Sequence, residues 1–442
     1  MINQKKNIKI SVIGQGYVGL PMSIVLATKC KNYKILGIEK NNSRGNYLKE
    51  LINNKLLPFD TNDNKLKKNF IEAINNRKYS VSTNLSEIKD SNIIIVSINA
   101  DFKNSNTIKN IQNLFKSISN FMNKNTLIFL ESTLPPGTCN KYILPILLKK
   151  IKKSEIKFCY SYERVTPGRN YYDSIINSYR CYSGANDISK LSGKKFLKSF
   201  VNYKKYKLVE LPSIIDCETA KILENSFRAI NIAFIDEWTK FSNKLNINLN
   251  SIINAISLRK THSNIMRPGV GVGGYCLTKD PGFANISSKK IFKLKNEFPI
   301  TNLSRKINYK MVKTSLEFIE SKTSLKNKKI LVLGATYKED VGDFRYSPSL
   351  ELIKKLGMIT SKIDVYDPYL TIKNNFKFNS VKIEQNKLFF KKYDCLILTV
   401  KHPEFEKINF RKNLSKKTKV FDLCGFFKSK KNMSNLFILG GR

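Results

Sequence analysis

Ile8-Lys9-Ile10-Ser11-Val12-Ile13-Gly14-Gln15-Gly16-Tyr17-Val18-Gly19-Leu20 is the stretch that decides the fold. Its first six residues read as a buried strand, and an apolar run after Gly19 reads as a helix. Between them lie three glycines spaced G-x-G-x-x-G. The first permits a tight turn, the second lets backbone approach a pyrophosphate, and the third lets helix pack on strand. The positive end of the helix then faces the phosphates. A second strand over 35–39 ends in Glu39, 20 residues beyond Gly19. An acid there holds an adenosine ribose 2′-hydroxyl and disfavours an added phosphate, although adjacent Lys40 works the other way. NAD is therefore the expected cofactor, with Gly14, Gly16, Tyr17, Val18, Gly19 and Glu39 as contacts. A glycine turn without a ligand is the plainer alternative.

Outward from this unit, strands are expected at 93–98, 126–130 and 156–160, alternating with helical stretches. A long helix follows over roughly 216–245, then a glycine-rich segment over 267–280. The strand–loop–helix pattern restarts at 329–334, with further strands at 362–366, 395–400 and 419–423. The expected architecture is α/β: two Rossmann-like, doubly wound parallel-sheet domains joined by a central helical region with one long helix. The expected boundaries are 1–205, 206–322 and 323–442. A chain of 442 residues is long enough for two or three cores.

Composition narrows the function. The formal net charge is +44, which invites a nucleic-acid reading. Yet of 78 basic residues only 12 are arginine, the side chain suited to bidentate phosphate and guanine contacts. No helix-turn-helix, zinc-finger or RNA-binding signature accompanies the charge. Solvated lysine faces are the simpler account, with attraction of anionic small substrates as a by-product. The eight cysteines form no CxxC pair and the two histidines, His262 and His402, have no metal-ligand spacing. Neither disulfides nor a metal site are expected. No apolar run reaches the roughly 18 residues of a membrane helix. The first strand begins too early for a signal peptide, so a cytoplasmic enzyme without a membrane partner is expected.

Three further segments carry chemistry. In Gly273-Gly274-Tyr275-Cys276-Leu277-Thr278-Lys279-Asp280, two glycines allow close approach to a thiol. Lys279 favours thiolate, and Asp280 suits a base or a water-orienting group. A buried structural cysteine is the commoner meaning of such a residue. On the long helix, Lys221 and Asn225 share one face with Arg228 beside them, suited to an oxyanion or to plain solvent. Leu223, Phe227, Ile230 and Phe234 form an apolar stripe, expected to be core. The segments 131–138, 162–168, 334–340 and 343–345 follow strands, at the sheet edges where ligands sit in this architecture.

In this order, these residues resemble the UDP-glucose/GDP-mannose dehydrogenase family over nearly the whole chain. The resemblance rests on 14–20 with Glu39 and Arg44, on 132–138 and 163–168, on 220–237 and 267–281, and on 333–348 with Val365-Tyr366-Asp367-Pro368. It implies NAD-dependent, four-electron oxidation of a nucleotide-sugar C6 hydroxyl to a carboxylate, for surface polysaccharide synthesis. Cys276 matches the nucleophile that carries a thiohemiacetal and then a thioester. Lys221, Asn225 and Asp280 match groups that steady anionic intermediates and move protons. Glu163 matches a glutamate of thioester hydrolysis, and Thr133 a threonine of the water network that also contacts cofactor. Arg44, Lys279 and Arg345 match cofactor contacts. Lys338, Arg267 and Gly273 match substrate contacts, as do Glu163, Lys221 and Asn225. A homodimer is implied as well. Departures from the pattern divide between branches of the family. Pro167 favours UDP-N-acetylhexosamines, and Lys279 favours UDP-glucose. Tyr275 stands where the acetylamino branch has histidine, and Asp422-Leu423-Cys424 lacks an arginine. A basic nucleic-acid-binding or regulatory protein on a nucleotide-binding fold is the alternative class, and a two-electron hydroxyacid dehydrogenase leaves the cysteine loop unexplained.

Overall fold

The computed structural model describes residues 7–100, 106–295, 298–370, 379–380, 389–427 and 433–441. The chain divides into two compact units, Met1–Leu223 with Phe283–Glu297, and Glu224–Gly282 with Phe298–Arg442.

The first unit is built on an eight-stranded sheet. Its strands are β1 (Ile8–Ile13), β2 (Tyr33–Ile38), β3 (Tyr79–Ser82), β4 (Ile93–Val96), β5 (Leu127–Leu130), β6 (Phe158–Tyr160), β7 (Arg180–Gly184) and β8 (Leu208–Glu210). They lie in the order β3-β2-β1-β4-β5-β6-β7-β8. Every pairing is parallel except β6 with β7. The order reverses between β1 and β4, which opens a crevice at the carboxyl ends of these two strands. Alternate residues feed two cores. Ile93, Ile95, Leu127 and Phe129 pack on one face, and Ile94, Val96, Ile128 and Leu130 on the other. Burial on both faces explains why these strands read as unbroken apolar runs.

The second unit repeats the plan with six strands: β9 (Ile330–Leu333), β10 (Ile363–Tyr366), β11 (Asn379–Ser380), β12 (Cys395–Leu398), β13 (Lys419–Asp422) and β14 (Leu436–Ile438). Their order is β11-β10-β9-β12-β13-β14, all parallel. Here the reversal falls between β9 and β12. Ile330, Val332, Cys395 and Ile397 face one core, and Leu331, Leu333, Leu396 and Leu398 the other.

One helix, Ile214–Leu245, runs through the boundary between the units. The stripe expected as its core face is in fact outside. Leu223, Phe227 and Phe234 are 67%, 56% and 51% exposed, and Trp238, Phe241 and Leu245 continue the stripe, also exposed. The buried face is instead Ile222, Ser226, Ala229, Ala233 and Asp236. Small side chains at 229 and 233 allow close approach, and Asn308 Nδ2 donates to the Ala229 carbonyl at 3.0 Å. Among the described residues, no helix is long and apolar enough to cross a membrane.

Candidate active site

The glycine loop of the first unit has three different jobs. Gly14 adopts φ +91°, and a Cβ there would lie 2.5 Å from the Ser97 carbonyl oxygen. At Gly19 a Cβ would meet the Gly14 carbonyl at 1.8 Å, so the Gly19–Lys29 helix can pack this closely only without a side chain. Gly16 is exposed, and a Cβ there would meet nothing within 4 Å. That open space lies beside the N-terminus of the helix, where a pyrophosphate fits. Tyr17 and Val18 are half-buried, and the Tyr17 ring stacks on Phe59 at 5.0 Å. Glu39 Oε1 accepts from the Gln15 N–H at 2.5 Å, so the acid at the end of β2 touches the loop directly. Gln15, which sequence reasoning passed over, is fully buried and ties the loop to Val12 and Tyr79. Arg44 is exposed in the first turn of the Ser43–Asn53 helix. These residues fit a dinucleotide.

Across the same sheet edge, Glu163 follows β6. Its Oε2 accepts from Val165 N–H at 2.7 Å. Lys221 Nζ donates to the Glu163 carbonyl at 3.0 Å and lies 3.3 Å from Oε1. Lys221 is 8% exposed, so the face that carries it is not plain surface. Burial pushes the Glu163 carboxyl up, but Lys221, the Val165 N–H and Arg180 outweigh it and hold it below the usual glutamate value. The Tyr162 ring lies 5.4 Å beneath the Lys221 ammonium. Thr133 is half-buried at the end of β5, in a loop whose Gly137 and Cys139 N–H groups both donate to the Glu218 carboxylate. Burial raises Glu218 to about 7. Behind Glu163 lies an ion pair that the sequence did not announce. Arg180 Nη2 meets Glu131 Oε1 at 2.5 Å with both side chains fully buried.

In the second unit, Cys276 heads the short Tyr275–Lys279 helix. Of the eight cysteines it alone is exposed. Gly274 has φ +76°, and a Cβ at Gly273 or Gly274 would strike Tyr337. The two glycines thus press the cysteine turn against the loop after β9. Asp280 is 1% exposed and accepts from Asn225 Nδ2 at 2.7 Å. Lys279 Nζ lies 3.5 Å from Asp280 Oδ1 and 4.1 Å above the Tyr275 ring. Arg345 grips Asp343 through Nε and Nη2, at 2.9 and 2.7 Å. Lys338 is half-buried, and burial and then Arg228 lower its ammonium value. Arg267 is exposed and donates to Asn254 at 2.7 Å. Asp422, two residues before Cys424 where the arginine is lacking, is buried and accepts from the Cys424, Phe426 and Phe427 N–H groups.

Family models match three consecutive parts of the chain. The NAD-binding domain of the UDP-glucose/GDP-mannose dehydrogenase family matches residues 8–195, its central domain 216–310, and its UDP-binding domain 331–429. A UDP-N-acetyl-D-mannosamine dehydrogenase of Methanococcus vannielii is 31% identical over 434 residues, covering 94% of this chain and 92% of that one. The chain belongs to the UDP-glucose/GDP-mannose dehydrogenase family. As a member of this family it is an NAD-dependent oxidoreductase of nucleotide sugars. The namesake enzyme of Methanococcus aeolicus is 32% identical over 417 residues, covering 92% and 87% of the two chains. The structure of the UDP-N-acetyl-mannosamine dehydrogenase Cap5O from Staphylococcus aureus superposes with TM-score 0.78 at 25% identity, covering 98% of each chain. The matched NAD-binding range holds β1 to β7, and the matched UDP-binding range holds nearly all of β9 to β13.

Proposed function

We propose that this enzyme oxidises the C6 hydroxyl of a UDP-N-acetylhexosamine to the carboxylate, with Cys276 as the covalent carrier. The observation that carries the reading is the single exposed cysteine, set on a glycine-built turn three residues from nearly buried Lys279 and four from Asp280. Bound NAD+ supplies the acceptance of one hydride in each of two oxidations. Between them, Cys276 Sγ adds to the C6 aldehyde to give a thiohemiacetal, and the second oxidation leaves a thioester. Holding the aldehyde covalently splits one hard oxidation into easier steps. Water then cleaves the C–S bond, returning the thiol and releasing the acid with its proton. Lys221 offsets negative charge on oxygen, Asn225 orients Asp280 as proton acceptor, and Glu163 with Thr133 directs the water. A site run by lysine, carboxylates and water agrees with a chain holding two histidines.

The acetylamino sugar is favoured over UDP-glucose by Pro167 and by the names of the curated relatives. The uronic product is a charged building block suited to surface polysaccharide. The chain works as a homodimer through the exposed stripe of its long helix, and its partner is a nucleotide sugar rather than nucleic acid.

The test is incubation with NAD+ and a panel of UDP-N-acetyl-D-mannosamine, UDP-N-acetyl-D-glucosamine and UDP-glucose. Two NADH per acid formed is the expected result. Cys276→Ala is expected to abolish acid formation while NAD+ binding persists. Folded protein that turns over no nucleotide sugar overturns the proposal.

A further inference from the structure

The reaction proposed for Glu163, Lys221 and Thr133 leaves one fully buried carboxylate beside them without a task, Glu218. It lies on the long helix three residues before Lys221, so the two side chains leave the same side of that helix. Its Oε2 accepts from the Gly137 N–H at 2.6 Å, and its Oε1 from the Cys139 N–H at 2.9 Å. Burial pushes this carboxyl up to about 7, against the Cys139 thiol and the two N–H groups, which favour its charged form.

The turn held in this way is the far end of the loop that begins at Ser132 and Thr133. Ser132 fixes the near end. Its Oγ accepts from the Ile98 N–H at 2.9 Å, and its carbonyl accepts from the Tyr160 hydroxyl at 3.2 Å. Between the two ends lie Leu134, which is 1% exposed, and Pro135-Pro136, whose rings fix φ. Thr138 Oγ1 donates to the Pro135 carbonyl at 2.6 Å, and Ser287 Oγ to the Pro136 carbonyl at 2.6 Å. A loop this stiff passes a displacement of Gly137 on to Thr133 instead of absorbing it. Further along the helix, Lys221 Nζ donates to the Glu163 carbonyl at 3.0 Å. One helical turn thus fixes where Thr133 stands relative to the Lys221–Glu163 pair.

We propose that Glu218 is a positioning residue for the water step, clamping the Thr133–Cys139 loop to the helix that carries Lys221. The inference rests on the roles proposed for Thr133 and Glu163 in directing water at the thioester. A misplacement of about 1 Å in such a pair costs on the order of a hundredfold in rate. The two hydride transfers do not use that water and are spared. Glu218→Gln is the isosteric probe. Its amide oxygen accepts one N–H, but its NH2 group is set against the other, which must move away.

Two measurements on the full chain, made above about pH 7 where Glu218 is charged, separate this from the functional reading. Amide hydrogen exchange is expected to be slow at Gly137 and Cys139 in the wild type and faster at both in Glu218→Gln, with the strands of the sheet unchanged. Fast exchange at these two amides in the wild type, or slow exchange kept in the variant, overturns the clamp whatever the substrate does. The second measurement uses NAD+ with UDP-N-acetyl-D-mannosamine, or with whichever sugar of the panel the wild type oxidises. Glu218→Gln is expected to release two NADH per active site and then stall, with acid formation lowered on the order of tenfold to a hundredfold. Intact mass is expected to show the oxidised sugar nucleotide held on Cys276. Glu218→Asp, which keeps both oxygens one methylene short, is expected to stall in the same way and decides the matter if the amide variant does not fold. Equal loss of the NADH burst and of acid formation, with no adduct on the cysteine, overturns the positioning role. A wild type that shows the expected exchange but turns over no UDP-sugar supports the clamp and sinks the water-directing reading of Thr133 instead.

Discussion

Single residues here carry large electrostatic loads. Arg180 and Glu131 are both fully buried, so removing either leaves the other's charge without its nearest counter-charge away from water. Glu131→Gln or Arg180→Met is expected to cost about 3–5 kcal/mol of stability, whereas a double replacement by apolar residues costs much less. Denaturant unfolding of the three variants checks this. Asp236 is a second case. It lies on the buried face of the long helix, its Oδ2 has no hydrogen-bond partner among the described residues, and burial raises its carboxyl to about 8. Between the ordinary aspartate value and about 8 the folded chain holds a proton that the unfolded chain has released. The unfolding free energy therefore falls as pH rises through that window. Asp236→Asn is expected to flatten the fall, measured by unfolding at about pH 5 and about pH 8. Neither the Arg180–Glu131 pairing nor the burial of Asp236 was legible in the sequence. Arg180 and Glu131 are far apart in the chain, and such a pairing leaves no local pattern. The glycine loop and the glycine-built turn before Cys276 were legible because their constraints act within a few residues, where spacing records them.

At the scale of elements, the strands that sequence reasoning found are the apolar ones buried on both faces. Three of those it missed have no such run, while Leu436–Ile438 is apolar but only three residues long. Tyr79–Ser82 alternates with serine, Arg180–Gly184 begins with a cation, and Leu208–Glu210 is largely exposed. The long helix was found with its bounds nearly right, but its faces were exchanged. Helical periodicity identifies an apolar stripe without saying what covers it. Ala229 and Ala233 on the other face were the missed signal, since small residues mark close approach. If the exposed stripe is the homodimer seam, Trp238→Glu is expected to give a monomer in sedimentation. Trp238 is the only tryptophan and packs edge-on to Phe234 and Phe241. Its emission is expected to shift to the red when wild-type protein is diluted into monomers. A wild type that sediments as a monomer removes the seam.

At the scale of the whole molecule, the chain carries a net charge of +44, and its family binds substrates with a pyrophosphate. Encounter with that anion is steered by a field that salt screens. The ratio kcat/KM is expected to fall by roughly tenfold or more between about 0.05 and about 0.5 M salt, with kcat nearly constant. Equal loss of both would indicate damage to the fold instead. The cysteines divide in a different way. Burial pushes the thiols of Cys30, Cys139, Cys159, Cys217, Cys395 and Cys424 up, away from the reactive anion, while Cys276 faces water. A mild alkylating reagent applied to the native protein should thus modify Cys276 first, ahead of the half-buried Cys181. Intact mass would then count the molecules whose Cys276 is present as a thiol, without any substrate being known.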